Sequence, residues 1–496
     1  MLAPQPVITA QELARGQHHL VRDLAWASVT GAFSGGVILV AFALALGASP
    51  VQVGLLAAIP FLTQAAQLPA TLLIERVRRR RLIGVLSITA ARVLILALAL
   101  LPWVPGQPLA LTLLIGAHVL ISLLHAVGGC AVNAWLHQLI APGELGQFFA
   151  RRLFSGTLVA CLATLAAGAL VDRSSFAQPL SAYGAAFVIA GLSGFVSSFH
   201  LARAPEPQMQ TAGPPQPVLR QILGPFADRG FRKLLIFMGA WTVASNITGP
   251  FLTVYLIEQR GYSLSTVTLL SITSQLANAL TLYLWGRLSD RLSNKAVLAV
   301  ALPVHFLSML ALVMADAIRN PAAQLALLFV IHLVMGVATG GIGLAMGNLG
   351  LKLSPQGKGT AYLAAIGLVC ALTGGVAPVA AGALAQTFQA LELSAVIRWT
   401  TPGGTEEVSL LSFAHWELLF ALSALMGLYV MHALSRIDEG REVSERQVVQ
   451  EFALEAVRAV NSLSSVGGAL GSLFPFDRLT ERRKWWRREG GAPRPG

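Results

Sequence analysis

One arginine is the residue in this sequence whose position most clearly calls for a chemical explanation. Arg92 stands in the middle of the apolar run 82–102, and a charge at the centre of a membrane span costs roughly 2.5–3.5 kcal/mol on insertion scales. A guanidinium kept at that cost is a candidate to bind an anionic or polar solute group. It can also tie helices together by donating to backbone carbonyls, and the sequence leaves both roles open.

A stripe of polar side chains follows in the next apolar run. His118 and His125 lie seven residues apart, and Asn133 follows eight residues later. At 3.6 residues per turn the three share one helix face. Histidine titrates near neutral pH and can relay protons, and the apolar runs hold no carboxylate at their centres. The stripe therefore indicates either possible proton coupling or a set of hydrogen bonds between helices.

The usual signatures of catalysis, nucleotide binding and metal binding are missing from the sequence. It contains no H-E-x-x-H, G-x-S-x-G, D-x-x-D or G-x-x-x-x-G-K-[ST] pattern. The three cysteines lie inside apolar runs without a C-x-x-C spacing, which favours buried thiols over metal ligands. We expect no enzyme activity, no catalytic residue, no metal and no cofactor.

The elements that position these residues follow from composition. Of 496 residues 55% are apolar and 12% charged, and the mean hydropathy is +0.67, whereas soluble domains carry about 25% charged residues. Twelve apolar runs have spanning length, six before a Pro- and Gln-rich stretch and six after it. The sequence predicts an all-α membrane protein of twelve transmembrane helices in two six-helix bundles. The predicted divisions are an N-tail at 1–22, bundles at 23–201 and 231–435, a linker at 202–230 and a C-tail at 436–496.

The distribution of Lys and Arg predicts the orientation. Segments on the side of the termini hold 30 of these residues and the opposite loops hold four, with Arg92 inside a run. Positive charge favours the cytoplasmic side, so we expect both termini, the linker and the tails to be cytoplasmic and the chain to lie in the inner membrane. The net charge of +12 therefore reflects membrane topology, and we expect no nucleic-acid partner.

Two further segments have their own predictions. In the external loop 387–414, apolar stretches flank Pro402-Gly-Gly404, which favours a small hairpin. The C-tail ends with clustered Arg and Lys beside Trp485 and Trp486. That pattern suits an anionic membrane surface, or else a basic tail without a specific role.

Two loops in corresponding positions of the two halves carry a family resemblance. The loop Gly286-Arg-Leu-Ser-Asp-Arg-Leu-Ser-Asn-Lys295 resembles the signature G-x-L-x-D-R-x-G-R-[KR] of the major facilitator superfamily at Gly286, Leu288, Asp290, Arg291 and Lys295. The loop 71–81 resembles it at Leu73, Arg76, Arg79 and Arg80, with Glu75 in place of the aspartate. Two copies match the repeat construction of this superfamily. The resemblance implies a secondary carrier that works by alternating access, with these loops as latches on the cytoplasmic side.

The resemblance also implies which residues line the cavity, since superfamily carriers line it mainly with spans 1, 4, 7 and 10. Together with a pair at i, i+3 in span 8, the candidates are Arg92, His118, His125, Asn133, Trp241, Asn246, Gln275, Asn278, His332 and Asn348. As a set they describe a mostly neutral, hydrogen-bonding cavity. That composition favours a neutral polar solute or a zwitterion, carried with the bilayer as the other partner; the oligomeric state is not predicted.

Two other functions compete with the carrier. A transporter-like fold used in lipid handling, assembly or sensing is the first, and the long tail and external loop leave it open. A membrane-embedded enzyme acting on a lipid-linked substrate is the more remote alternative, because the sequence offers no clustered acid, base or metal set.

Overall fold

A computed structural model describes most of the chain. The described residues are 4–141, 145–174, 180–209, 224–315, 318, 320–355, 359–401, 404–440, 447, 449–452 and 454. Most of the predicted C-tail and most of the linker after residue 209 therefore lie outside the described residues.

Twelve helices are long and apolar enough to cross a membrane, which confirms the predicted fold class. They are numbered here as spans 1 to 12 in chain order. The first six are Ala10–Ala45, Pro50–Val77, Arg80–Trp103, Gln107–Leu139, Gln147–Arg173 and Ser181–Arg203. The second six are Arg229–Gln259, Leu264–Arg291, Asn294–Val313, Pro321–Lys352, Ala361–Phe388 and Trp416–Ser435. An even number of spans places the start and the end of the bundle on one side, called here the termini side; the opposite side is the far side.

Local sequence explains where several helices begin. Thr9 and Ser49 each cap a helix and form capping boxes with Glu12 and Gln52, so backbone N–H groups at the first turn find acceptors. Span 1 begins at Ala10, well before the apolar run that starts near Leu24, because the capped first turns carry polar residues on an amphipathic helix.

The predicted hairpin is present in the loop between spans 11 and 12. Strand β1, Glu392–Thr401, pairs antiparallel with β2, Gly404–Ala414, and the register shifts between Ala395 and Val396. The hairpin leads directly into span 12, whose first residue, Trp416, is buried and stacks on Phe251.

Span 1 is broken between a first helix of 25 residues and a second helix of 10 residues. Its first helix ends at Ser34, Gly35 adopts an extended conformation, and a second helix runs from Gly36 to Ala45. Gly36 has a φ of +50°, a backbone conformation that side chains with a Cβ disfavour. The break is therefore specific to glycine at this position, and it leaves backbone groups of both helix ends without intrahelical partners.

The two halves pack against each other on the far side through glycines. A Cβ on Gly54 would come within 2.2 Å of the Pro378 carbonyl oxygen, and one on Gly382 within 2.4 Å of the Pro50 oxygen. Spans 2 and 11 are thus in backbone contact there, as small residues permit between membrane helices. Asp172 at the end of span 5 adds a polar contact, since its carboxylate accepts from the backbone N–H of Leu264 and Ser265 at the start of span 8.

On the termini side each half is closed by a buried glutamate that follows its last span. Glu206 accepts from the backbone N–H of Arg80 at 2.6 Å, at the start of span 3. Glu439 accepts from the backbone N–H of Asn294 at 3.2 Å and of Lys295 at 2.6 Å, at the start of span 9. Both carboxylates lie where a helix N-terminus presents unpaired donors, and the two contacts are equivalent under the repeat.

Candidate functional site

A cavity of about 730 Å³ lies between the two halves and is called the central cavity. Its volume is in the range of small-molecule sites in proteins. The first half contributes the broken region of span 1 and parts of spans 2, 4 and 5, and the second half contributes parts of spans 7 and 8. Its polar side chains are Ser28, His118, Thr164, Thr253, Ser271 and Gln275.

A second cavity of about 340 Å³, the side chamber, lies within the first half. Both cavities are lined by Gly31, Gly35, Pro60 and His118, so they adjoin at the break in span 1. The polar wall of the side chamber consists of Thr30, Ser34, Thr63, Gln64, Arg92, His118, Ser122 and His125.

Arg92 is the charged residue of the side chamber and is only 7% exposed. One terminal nitrogen, Nη1, lies 3.3 Å from Nε2 of His125, and Nε has no hydrogen-bond partner among the described residues. The Arg92 stem is held in place by span 6, because a Cβ on Gly194 would lie 2.4 Å from Cδ of Arg92. The glycine therefore provides the room that lets the guanidinium reach the chamber.

The contact with Arg92 determines the protonation state of His125. A guanidinium can only donate hydrogen bonds, so Nε2 of His125 must be the acceptor and carry no proton. His125 in this arrangement is therefore a neutral imidazole with its proton on Nδ1. A second proton on His125 would break this bond and place two cations side by side.

The carboxylate that interacts electrostatically with Arg92, Asp23, is bound by other groups. Asp23 in span 1 is buried and accepts from Arg152 Nη2 at 3.2 Å and from Ser197 Oγ at 2.7 Å. The Arg152 side chain belongs to span 5 and Ser197 to span 6, so this cluster joins three spans of the first half. Asp23 thus already has a cationic partner of its own.

The other predicted cavity residues lie in three different environments. Gln275 lines the central cavity and Asn133 is exposed. The rest make contacts between or within helices: Asn278 donates to Thr339, Asn246 to the Thr242 carbonyl and Asn348 to Ser289. His332 is buried with Nδ1 2.8 Å from the Leu328 carbonyl oxygen, and Trp241 packs on His305 and Phe306.

The predicted latch residues also divide. Glu75, Arg76, Arg79, Asp290 and Arg291 are exposed on the termini side, and Gly286 is half-buried. Arg80 and Lys295, in contrast, are bound at the helix starts that Glu206 and Glu439 cap. These two latch residues are therefore tied within their own halves in this conformation.

Sequence reasoning missed two parts of this arrangement. The break at Gly35 and Gly36 was detectable only as three glycines at positions 31, 35 and 36 inside an apolar run, a pattern that close helix packing produces equally often. Glu206 was hidden in Ala204-Pro-Glu-Pro-Gln208, which has the composition of a linker. Both glutamates follow the last span of their half, span 6 and span 12, and this equivalent position is the signal that could have identified them.

Solved structures of transporters resemble this chain in fold. A variant of the nucleoside transporter NupG matches with a TM-score of 0.66 at 13% identity, over 86% of this chain and 100% of that one. A bacterial homologue of the iron transporter ferroportin, in an inward-facing state, matches at 0.60 and 15%, over 86% and 99%. A bacterial homologue of the human lysosomal transporter Spinster, inward-facing and unoccupied, matches at 0.57 and 14%, over 91% and 96%.

A comparison with curated protein sequences finds no match. The sequence profile of the Major Facilitator Superfamily, however, matches residues 24–378, which is more than half of the chain. The twelve spans, the transporter structures that share the fold and this profile agree with one another. The chain therefore belongs to the Major Facilitator Superfamily, as a multi-pass membrane transporter and not an enzyme.

Proposed function

We propose that this protein is a secondary carrier that moves a small solute across the cytoplasmic membrane by alternating access. The observation that carries the proposal is the central cavity, because residues of both halves line it at mid-bundle. A site shared by two rigid halves changes its access when one half rocks against the other. Transport of this kind leaves the solute chemically unchanged.

The contacts between the halves support an inward-facing conformation. Spans 2 and 11 touch at Gly54 and Gly382 on the far side. Towards the termini side the same spans are separated by a cleft of about 390 Å³, here the lateral cleft, which Gln64, Leu68, Leu363 and Leu372 help to line. With the positively charged termini side in the cytoplasm, the cavity of this conformation faces the cytoplasm.

We also propose that protons are coupled to transport through His125. The titratable and charged groups that act on His125 are Arg92 on span 3 and His118 on its own helix. Protonation of Nε2 costs the hydrogen bond from Arg92, so a proton on His125 changes the position or the binding strength of the guanidinium. A solute that binds Arg92 offsets the repulsion and favours joint binding of solute and proton.

The test is uptake by proteoliposomes that contain the full chain. Pooled solutes, including nucleosides, are offered with and without an inward-directed proton gradient, and uptake is followed by mass spectrometry. We expect accumulation of at least one solute, faster with the gradient, and loss of the gradient effect in His125→Gln. The same substitution at the exposed His137, His137→Gln, is the control that should behave like wild type.

Different outcomes exclude different parts of the proposal. Uptake that is indifferent to the gradient contradicts proton coupling and leaves the carrier intact. No uptake of any solute, combined with movement of labelled lipid between leaflets, contradicts solute transport and favours the lipid-handling alternative.

A further inference from the structure

The cavities of this carrier carry an uncompensated positive charge. The described residues that line the central cavity, the side chamber and the lateral cleft include no Asp, Glu or Lys, and Arg92 is their one charged side chain. Its hydrogen-bond partner, His125, is neutral for the reason given above. An arginine cannot lose its proton in a protein, so the charge of the lining is positive.

Asp23 does not cancel this charge. Its carboxylate is occupied by Arg152 and Ser197, and among the described residues no ion pair within 4.0 Å joins it to Arg92. Arg152 itself brings a positive charge to that cluster. The pair Asp23–Arg152 is therefore close to neutral, and the guanidinium of Arg92 remains in excess.

The broken span 1 does not supply the compensation either. The start of the helix at Gly36 presents backbone donors and a positive dipole end, while the helix that ends at Ser34 presents acceptors and a negative one. The two dipole ends lie at the same break and largely offset each other. Arg92 is therefore the source of the positive electrostatic potential in the side chamber.

Charged side chains inside a membrane bundle almost always pair with another group or mark a solute pathway. Nε of Arg92 has no hydrogen-bond partner among the described residues, and the side chain is 93% buried, so the guanidinium keeps an unused donor. A carboxylate is the acceptor that matches a guanidinium in shape and charge. The hydroxyls of Thr30 and Ser34 donate to backbone carbonyls of their own helix, so Arg92 supplies the strongest available donors.

We propose that the solute is an organic monoanion whose carboxylate binds Arg92 in the side chamber while its less polar body occupies the central cavity. A single guanidinium balances one negative charge. While His125 is neutral, a phosphate monoester, which is close to a dianion at neutral pH, leaves one negative charge uncompensated, and a zwitterion leaves an ammonium without a carboxylate to receive it. This inference rests on the carrier function proposed above and specifies its substrate class.

The test offers the full chain, in proteoliposomes with the membrane potential clamped at zero, four equimolar pools of solutes. The pools are organic monocarboxylates, neutral polar solutes including nucleosides, zwitterionic amino acids, and organic phosphate monoesters. We expect wild-type uptake from the monocarboxylate pool. We expect Arg92→Gln to reduce that uptake at least about tenfold at low solute concentration, as the loss of a charged hydrogen bond implies.

Two further variants separate binding from folding. Gly194→Ala keeps the charge but pushes on Cδ of Arg92, so it should raise the KM for the monocarboxylate and change kcat much less. If Arg92→Gln does not fold, the KM of Gly194→Ala still tests whether Arg92 binds the solute. Arg173→Gln removes an arginine from the exposed far-side end of span 5, and its uptake should equal that of wild type.

Three results overturn the inference. Uptake confined to neutral, zwitterionic or phosphate pools does so while the carrier function stands, and so does monocarboxylate uptake that both Arg92→Gln and Gly194→Ala leave unchanged. Uptake from none of the pools overturns the carrier function itself, and the substrate class with it.

Discussion

Glu439 receives an unusual number of donors for a single carboxylate at the edge of a membrane bundle. Besides the backbone N–H of Asn294 and Lys295, it accepts from Asn294 Nδ2 at 2.8 Å and from Lys352 Nζ at 3.0 Å. Burial alone would raise the pKa of this carboxyl, but these hydrogen bonds outweigh burial and hold the pKa below its usual value. The ionised form is thus the form that the fold binds.

Replacing this carboxylate should therefore destabilise the second half. We expect Glu439→Gln to lower the free energy of unfolding by about 2–3 kcal/mol at pH 7, since an amide NH₂ opposes donors that a carboxylate accepts. A lowered pKa means that the stabilisation is present above the usual pKa of 4.5 and disappears as pH falls through the lower folded value. Unfolding in detergent at pH 7 and at pH 3 to 4 measures both effects.

A matched control for this experiment lies in the same part of the chain. Glu451 pairs with Arg291 at 4.0 Å, and both side chains are roughly half exposed, so Glu451→Gln should change stability by less than about 1 kcal/mol. Equal stability of Glu439→Gln and wild type at pH 7, or a gap that widens in acid, contradicts the assigned role.

Residue identity alone singled out part of the wall of the side chamber. Arg92, His118 and His125 were predicted because a charge or an imidazole inside an apolar run is conspicuous against a background of apolar residues, and all three line the side chamber. Asn278 and Asn348 were equally conspicuous but bond to Thr339 and Ser289 on neighbouring spans. Helical periodicity places such amides on a face without saying whether that face meets a helix or a cavity.

At the scale of elements, the broken span 1 is the feature that joins the two cavities. Gly31 and Gly35 line both, and Gly36 lines the central cavity. A continuous helix would keep its backbone groups paired internally, whereas the break leaves some of them without intrahelical partners. The break is maintained by one backbone conformation, the positive φ of Gly36.

A methyl group at Gly36 tests that conformation directly. A Cβ there meets nothing within 4 Å, so the cost of Gly36→Ala is backbone strain alone, about 1–2 kcal/mol. We expect lower stability or a straightened span 1, seen as a loss of uptake. Calorimetric or chemical unfolding of the purified chain, together with the uptake assay, distinguishes the two.

Gly31→Ala is the companion variant. A Cβ on Gly31 also has open space, and its backbone is helical, so alanine should leave stability unchanged or raise it by up to about 1 kcal/mol. If both alanine variants have the same stability, the left-handed conformation at Gly36 is not what maintains the break.

Hydropathy predicted the number of spans at this scale, but not their internal breaks. A run such as 24–46 remains apolar whether its helix is continuous or interrupted, because the side chains meet lipid and neighbouring helices in both cases. The break depends on backbone dihedral angles. In a sequence, glycine is the residue that indicates such angles, but glycine also occurs where helices pack closely. The capping roles of Glu206 and Glu439 were not predicted because the backbone groups that they cap lie more than 100 residues away in sequence.

At the scale of the whole molecule, the conformation is determined by where the two halves touch. Asp172 joins span 5 to the start of span 8, and a Cβ on Gly168 would lie 2.5 Å from the Thr268 hydroxyl. Together with Gly54 and Gly382 between spans 2 and 11, these contacts form one interface on the far side. Opening that side requires the whole interface to separate, so in the proposed carrier mechanism the strength of this interface sets the balance between the two access states.

A wedge in this interface should shift that balance. A Cβ on Gly382 would lie 2.4 Å from the backbone oxygen of Pro50, and because backbone cannot move aside as a flexible side chain can, Gly382→Ala must push spans 2 and 11 apart. We expect the far-side distance between the halves to increase and the outward-open population to grow. Pulsed electron paramagnetic resonance between labels at the exposed Gln107 and Thr387, in a chain whose three cysteines are replaced, measures the change.

Gly347→Ala adds the same methyl group in open space and should leave the distance distribution unaltered. An unaltered distribution in Gly382→Ala as well would mean that the halves yield without reorienting, and the rigid-body movement on which the carrier mechanism depends would then be contradicted.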